Sequence, residues 1–532
     1  MLPSMQRRQL NLSLDLELLD GELHGRCHDG NGGDHRFSGW LGLIGAIDSL
    51  VVGQAPGSAG RAAPTFTDGK RNPMLISQSS RFAELQSRID GQVLMAGDDA
   101  WDASRQTFNL THDQRPAALV RVASAADVAE TVRYAAKHGL RVAPQSTGHN
   151  AGPIAGLEDA LLIRTDDLQE VSIDVAARRA RVGSGVRWAA VSDPASAAGL
   201  APLSGSSRDV GVTGYSLGGG MGWLGRKYGL QANALTAVEI VTADGELRRI
   251  DHDNEADLFW AVRGGGGNYG VVTALEFELF PATEIYAGSL FFPYERASDV
   301  MHAWHEYVSA GLPDEITTVA RVMQFPPMEE IPEMVRGKSF TILQAAYLGS
   351  EADGAELIRP LTDLGPAMDT FAMVEPAALG HLAMDPEDPM PYVGSSRMLS
   401  DVSSAGIDAF IDAAGPGSGS ELANVELRSL GGALGRRAPG AGARATLNGD
   451  YLLFAVGGVF TPDGYDEVHR QADGVSEALR AWDSGTRYLN FEEGDVDPQV
   501  FFDADSWRLL RALRTHWDPN GLFLANHEIK AS

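Results

Sequence analysis

Between residues 144 and 270 the chain sets three glycine-dense loops among short strand-like runs, and this alternation restricts its fold more than any other feature. The first loop is Pro144-Gln145-Ser146-Thr147-Gly148-His149-Asn150-Ala151-Gly152-Pro153. The second holds Gly205, Ser206, Gly211, Thr213, Gly214, Gly218, Gly219, Gly220 and Gly222. The third runs from Gly264 to Gly267 and on through Asn268-Tyr269-Gly270. Small residues let backbone N–H groups close around an anion, so each loop is a candidate phosphate cradle. Any one of them read alone is equally a plain turn; three interleaved with strands favour the cradle. The third loop matches G-x-G-x-x-G through Gly265, Gly267 and Gly270. A dinucleotide fingerprint of that kind follows a strand and opens a helix. Here a helical run, Asp257–Val262, comes before the loop and a strand run, Val271–Leu279, comes after it. A Rossmann site is therefore excluded.

The flanking runs read as α+β. Ser124-Ala-Ala-Asp127 opens a helix as a capping box with Asp in place of Glu. Val128, Val132 and Ala136 share one face of that helix, and Gly139 follows its last turn. Apolar runs at Ala117–Val122 and Leu140–Ala143 bracket it as strands. Further strands are expected at Ala160–Arg164, Glu170–Asp174 and Arg179–Val182, and a helix near Trp188–Ala198. Thr236–Thr242 and Glu246–Ile250 form a hairpin around Asp244-Gly245. After Pro281, strands and amphipathic helices alternate, with breaks at Gly349, Gly365, Gly415–Gly419 and Gly431–Gly442. No repeat of fixed period is found. Residues 1–80 show little sustained periodicity and read as a poorly structured extension. Within them 54–80 is a Gly/Pro/Ser-rich linker, and Met74 is a plausible start of the folded body.

Composition narrows the partners. The 532 residues carry 43 basic and 71 acidic side chains, a formal charge of -28. Such a surface repels nucleic acid phosphates and anionic lipid heads, so neither is expected as a partner. Cys27 is the single cysteine, which rules out an internal disulfide and any cysteine-built zinc or iron–sulfur site; no metal site is expected. The apolar run Ser38–Gly53 is too short for a transmembrane helix and carries Asp48. No secretory leader is recognisable, and a cytoplasmic location is expected.

His149 stands between glycines in the first loop. A lone loop histidine is most often a surface or hydrogen-bonding residue, but an imidazole nitrogen beside a cofactor cradle is also a competent nucleophile. At this point the sequence resembles the berberine-bridge-enzyme-like flavoproteins, within the wider class that carries the vanillyl-alcohol-oxidase, or PCMH-type, FAD fold. The segments that carry the resemblance are Arg115–Arg121, Gly148–Gly152, Gly211–Leu224 and Asp257–Thr273. Tyr488-Leu489-Asn490-Phe491, Trp517–Phe523 and Asn526–Ile529 complete it. It spans about residues 82–529 and is loose over 285–480.

The resemblance implies a two-lobed FAD-binding domain at 81–283 and an antiparallel-sheet substrate domain with helices behind it at 284–480. A C-terminal segment, 481–532, would return to the FAD domain. It implies FAD bonded to His149 through its 8α carbon. The cofactor would be held by Gln145, Ser146, Thr147, Gly148, Asn150, Gly152, Gly205, Ser206, Val210, Gly211, Thr213, Gly214, Gly218, Gly219, Gly222, Gly270, Val272, Asn490 and Asn526. Some relatives add a second bond from a cysteine; Ser207 stands at that position, so one bond is expected. Val210 is similar to small residues that admit dioxygen to the flavin. Tyr488 is expected to take the substrate proton, while Phe491 replaces a second tyrosine found in relatives. Glu426 and Tyr451 are further candidates to face the flavin. The expected activity is an oxidase that passes hydride from a CH–OH or similar donor to FAD and then to dioxygen, giving hydrogen peroxide. The substrate would be a small molecule: a sugar, another alcohol or a natural product. A dehydrogenase with another acceptor and a flavin-binding protein without turnover remain open. A carbohydrate-binding module finds no support in the aromatic distribution.

Overall fold

The structure, a computed structural model, describes residues 12–19, 22–29, 34–38 and 81–532, apart from residues 155, 330 and 462. The described chain falls into two compact units, one holding the N-terminal strands together with 328–334, the other the remainder from residue 81 onward. Strands Leu12–Leu19, Glu22–Asp29 and Asp34–Ser38 pair antiparallel into a three-stranded sheet. This corrects the expectation of an unpatterned extension. In the sequence, Leu12, Leu14, Leu16 and Leu18 alternate with Ser13, Asp15 and Glu17, the period of two of a β-strand, and Asp20-Gly21 is a hairpin signal. The linker at 54–80 and the apolar run beyond Ser38 lie outside the described residues.

In the main unit the first sheet has four strands in the order Gln92–Leu94, Ala118–Arg121, Ala160–Arg164, Arg141–Gln145. The helix Ala125–His138 joins the second of these to the last, and Ala160–Arg164 slots between them, parallel to both. Ser124 caps this helix by accepting the Asp127 amide at 3.2 Å. The Asp127 carboxylate takes the amide of Ala123 rather than that of Ser124, and also those of Asp90 and Gly91. Gly139 closes the helix at φ 65°, a backbone state that glycine adopts without strain. The first glycine loop thus leaves the C-terminal end of Arg141–Gln145. The same strand takes a second partner on its free edge: Val142 donates to Leu522 and accepts from Leu524, both at 2.8 Å. That pairing carries the chain terminus to the first loop.

A second, antiparallel sheet runs Leu247–Ile250, Leu235–Val241, Val271–Glu278, Arg179–Gly183, Val171–Asp174. The third glycine loop lies between the helix Ala256–Val262 and the strand Val271–Glu278, the order that excluded a Rossmann site.

The third sheet is built from Ile285–Pro293, Ile316–Gln324, Ser339–Tyr347, Tyr392–Leu399, Asn424–Ser429 and Tyr451–Gly458, with short strands at one edge. Its side chains alternate strictly. Ala320, Val322, Val425, Leu427, Leu453 and Ala455 face the helices Ala297–Ser309, Ser404–Ala414 and Tyr465–Ala478, where they bury Trp304, Phe410 and Val475. Arg321, Glu426, Arg428 and Phe454 point the other way, toward the glycine loops. The α+β architecture and the helix-backed antiparallel sheet are those anticipated from the sequence.

Candidate functional site

The first loop is held tightly at both ends. Asn150 donates from its side chain to the carbonyls of Leu489 and Glu492, at 3.3 and 3.0 Å, and Asn526 donates to the Asn150 carbonyl. Gly148 sits at φ 77°, so a side chain there would be strained whatever the space. The His149 ring stacks on Phe108, centroids 3.8 Å apart and planes at 10°. Its Nδ1 lies 2.8 Å from the Thr147 hydroxyl, and its Nε2 lies 3.0 Å from a carboxylate oxygen of Asp209.

The second loop lies against the first: a Cβ on Gly211 would stand 3.0 Å from the Ser146 hydroxyl. Asn490 donates to the Tyr215 carbonyl at 3.0 Å, and its oxygen crowds the space that a Cβ on Gly218 would occupy. Gly214 has open space where its side chain would be, whereas Gly205 and Gly222 are packed against Tyr215 and the Ser204 carbonyl. Gly219 takes φ 126° beside the Tyr488 ring. Ser206 and Ser207 both donate to Asp385, at 3.2 and 2.7 Å.

Around these loops buried polar atoms are left without partners. They are both amide atoms of Gln145, the side-chain oxygens of Asn150 and Asn490, both Asp209 carboxylate oxygens, and the hydroxyls of Thr213 and Ser216. An unpaired buried polar group costs about 1–3 kcal/mol, and native proteins carry few of them. Eight on two touching loops and the segment that braces them point to a polar ligand with both donor and acceptor edges. A flavin dinucleotide has such edges, so the residues present fit that group.

The third loop serves packing more than contact. Gly264 and Gly265 accommodate Arg444 and the Ala261 carbonyl, and Gly270 accommodates the Val241 carbonyl. Val272 pairs with Ile240 within the second sheet and belongs to its core. Gly267 alone opens to free space.

Tyr488 is fully buried, and its hydroxyl oxygen accepts the Met221 amide at 2.8 Å. Burial pushes its pKa well up; the amides of Met221 and Gly220 and the guanidinium groups of Arg444 and Arg428 oppose that rise. The Phe491 ring stacks beside it at 5.5 Å, and the Arg428 guanidinium sits 5.0 Å above Phe491. A cation therefore covers a face of the Phe491 ring. Glu426 lies fully buried between Arg321, at 2.7 Å, and Arg428. Burial alone would raise its pKa, but the two arginines outweigh burial and hold the carboxyl below its ordinary value. Tyr451, offered by the sequence as facing the flavin, faces the helix layer instead. It packs on Trp304 and bonds His305 Nδ1 at 2.8 Å, because its place in the strand alternation matches Leu453 and Ala455. A small cavity of about 10 Å³, room for a single water, is lined by Ser206, Met221, Trp223, Val319, Arg428 and Leu434.

Residues 116–251 match the family model described as an FAD binding domain. Over 192 residues the chain is 38% identical to (R)-6-hydroxynicotine oxidase of Paenarthrobacter nicotinovorans, covering 36% of this chain and 42% of that protein. The crystal structure of 6-hydroxy-D-nicotine oxidase from Arthrobacter nicotinovorans superposes with a TM-score of 0.73 at 25% identity, over 84% of this chain and 98% of that one. A single-residue variant of berberine bridge enzyme superposes with a TM-score of 0.71 at 19% identity, over 85% and 100%. The chain carries an FAD-binding domain on a berberine-bridge-enzyme-like fold. It spans 42% and 60% of the lengths of the first two curated relatives it matches. The matched FAD-binding segment ends shortly before the third loop, in keeping with that loop's packing role. No helix among the described residues is long and apolar enough to cross a membrane.

Sequence reasoning missed Phe108, Asp209, Asp385, Arg428 and Arg444. Phe108 and Asp385 lie in stretches without motif, so nothing local marks them. The arginines at 321 and 428 do carry a signal: charged residues at alternate positions in runs otherwise apolar, around Glu426, announce a buried ionic cluster.

Proposed function

We propose that this protein is an FAD-dependent oxidase of a small molecule, with FAD bonded to His149 and dioxygen as the electron acceptor. The observation that carries the reading is the cluster of unpartnered polar atoms along the first two loops, within or directly beside the segment matched as an FAD-binding domain. Gln145, Asn150, Thr213, Ser216 and Asn490 would hold the cofactor through those atoms, and His149 would anchor it. FAD, when bound, supplies the hydride acceptor. The chain's own residues would then meet the substrate where the second loop faces the third sheet, with Trp223, Val319 and Leu434 as an apolar wall and Arg428 and Ser206 as a polar end around a small cavity. Tyr488 would take the hydroxyl proton of the substrate; burial raises its pKa, and the Met221 amide and two arginines oppose that rise. That the relative sharing 38% identity is named an oxidase of a hydroxynicotine supports a small-molecule donor.

The test is acid precipitation of the purified protein. A yellow pellet from wild type and a colourless one from His149→Ala are expected; a colourless wild-type pellet overturns covalent attachment. Peroxide release on substrate oxidation in air supports the oxidase. Reduced flavin that persists in air, yet discharges to an artificial acceptor, points to a dehydrogenase of the same fold.

A further inference from the structure

Asp209 is 5% exposed, and no hydrogen bond reaches either of its carboxylate oxygens. Among the described residues its single ion-pair neighbour is the His149 ring, with Nε2 at 3.0 Å. A buried carboxylate is costly unless a donor or cation meets it, and the His149 ring is the one group placed to do so. The ring itself has little freedom. Phe108 covers one face, Thr147 sits 2.8 Å from Nδ1, and the Tyr392 hydroxyl donates to the His149 carbonyl at 3.0 Å.

We propose that Asp209 is a positioning residue for His149: it holds the ring proton on Nε2, leaves the Nδ1 lone pair as the nucleophile, and receives the Nε2 proton as the bond to the flavin forms. The proposal rests on the reading that His149 carries FAD. With Nε2 protonated toward Asp209, the Thr147 hydroxyl donates to Nδ1, and a hydroxyl turns away from a lone pair with little hindrance. Once Nδ1 is bonded to carbon, the ring is cationic until Nε2 gives up its proton, and the carboxylate stands where that charge develops. The step balances. One C–H of the 8α-methyl group and one imidazole N–H are lost, and one C–N bond forms. The two protons and two electrons released pass to dioxygen as hydrogen peroxide. Histidines that bind metals are oriented in the same way by a carboxylate on the far nitrogen.

The experiment adds FAD to flavin-poor wild type, Asp209→Asn and Asp209→Ala, and follows total bound and acid-stable flavin with time. Asp209→Asn is expected to bind FAD yet form acid-stable flavin about 10–100-fold more slowly, the usual penalty for losing an orienting carboxylate. Added formate should restore part of the rate to Asp209→Ala and none to Asp209→Asn, whose amide still fills the site. Attachment by Asp209→Asn at the wild-type rate overturns the proposal. If neither variant retains FAD, NMR of the flavin peptide from wild type decides: a bond through Nδ1 supports the proposal, and one through Nε2, the nitrogen facing Asp209, overturns it. Failure of the underlying reading is distinct, because wild type would then carry no acid-stable flavin with Asp209 intact.

Discussion

The hydroxyl oxygen of Tyr488 accepts the amide hydrogen of Met221 at 2.8 Å, inside a cluster formed by Leu230, Met398, Leu430 and Leu452. A phenol so placed is caught between two effects. Apolar surroundings favour the neutral form, while an amide and two nearby guanidinium groups favour the phenolate. The second set must win for the residue to act as a base. Tyr488→Phe is expected to keep FAD bound and to lower the anaerobic flavin reduction rate by about 10²–10⁴-fold. Reduction at the wild-type rate across pH 6–10 would remove Tyr488 from the chemistry. Stability should fall by about 1–3 kcal/mol, since the Met221 amide loses its acceptor.

Val210 lies next to Asp209, half-buried, and its carbonyl fixes the Trp188 amide at 3.1 Å. Its side chain packs against the core while its backbone is pinned. Val210→Leu adds one methylene beside Asp209, and we expect slower reoxidation of reduced flavin by dioxygen with unchanged reduction. Stopped-flow traces of the two half-reactions check this. Equal reoxidation rates in both proteins would show that access to the flavin does not run past Val210.

What the sequence disclosed follows from the range of the interactions involved. The helix after Ser124, the Asp244-Gly245 hairpin and the three glycine loops are local, written in caps, turn residues and periodicity, and they stand where expected. Asn150 and Asn490 are legible as site residues through the resemblance, while their opposed bonds across more than 250 residues of chain are not. Asp209 illustrates the limit: its meaning comes from His149, sixty positions earlier and on another loop, and one carboxylate in an acidic chain carries no mark of its own. Tyr451 shows the opposite failure. A tyrosine on a strand near the expected flavin is a fair candidate, but only the register of the third sheet decides which face it takes. The N-terminal strands do carry a local signal, the alternation from Leu12 to Leu18, which sequence reasoning missed.

Glu426 bridges Arg321 and Arg428, all three almost wholly enclosed. Removing the shared carboxylate leaves two buried cations facing each other. Glu426→Gln is expected to lower stability by about 3–5 kcal/mol. It should also weaken Tyr488 as a base, because Arg428 is no longer held over Phe491. Denaturant unfolding measures the first effect and the anaerobic reduction rate the second. A variant as stable as wild type would mean that water or a neighbouring carboxylate such as Asp385 takes over the arginines.

Glu493 sets a pH dependence of its own. Its carboxylate accepts the Gly394 amide at 3.0 Å, and burial nevertheless raises its pKa to about 7, with Glu492 adding to the rise. The folded value stands above the unfolded one, ordinarily near 4.5. The native state therefore binds this proton more tightly than the unfolded chain. The favourable contribution is complete at low pH and disappears as pH rises from about 4.5 through about 7. A shift of this size corresponds to at most about 3 kcal/mol, and because the side chain keeps some exposure, ~1–2 kcal/mol is the expected effect. Glu493→Gln cannot titrate and retains an oxygen for the Gly394 amide. Wild type and variant should thus have similar stability near pH 4.5, and the variant should be the more stable by ~1–2 kcal/mol at pH 8. Denaturant midpoints for both proteins at matched flavin content, taken at several pH values, provide the measurement. A difference that stays flat with pH would mean that the carboxyl is hydrated in the folded protein and titrates as it does in the unfolded chain.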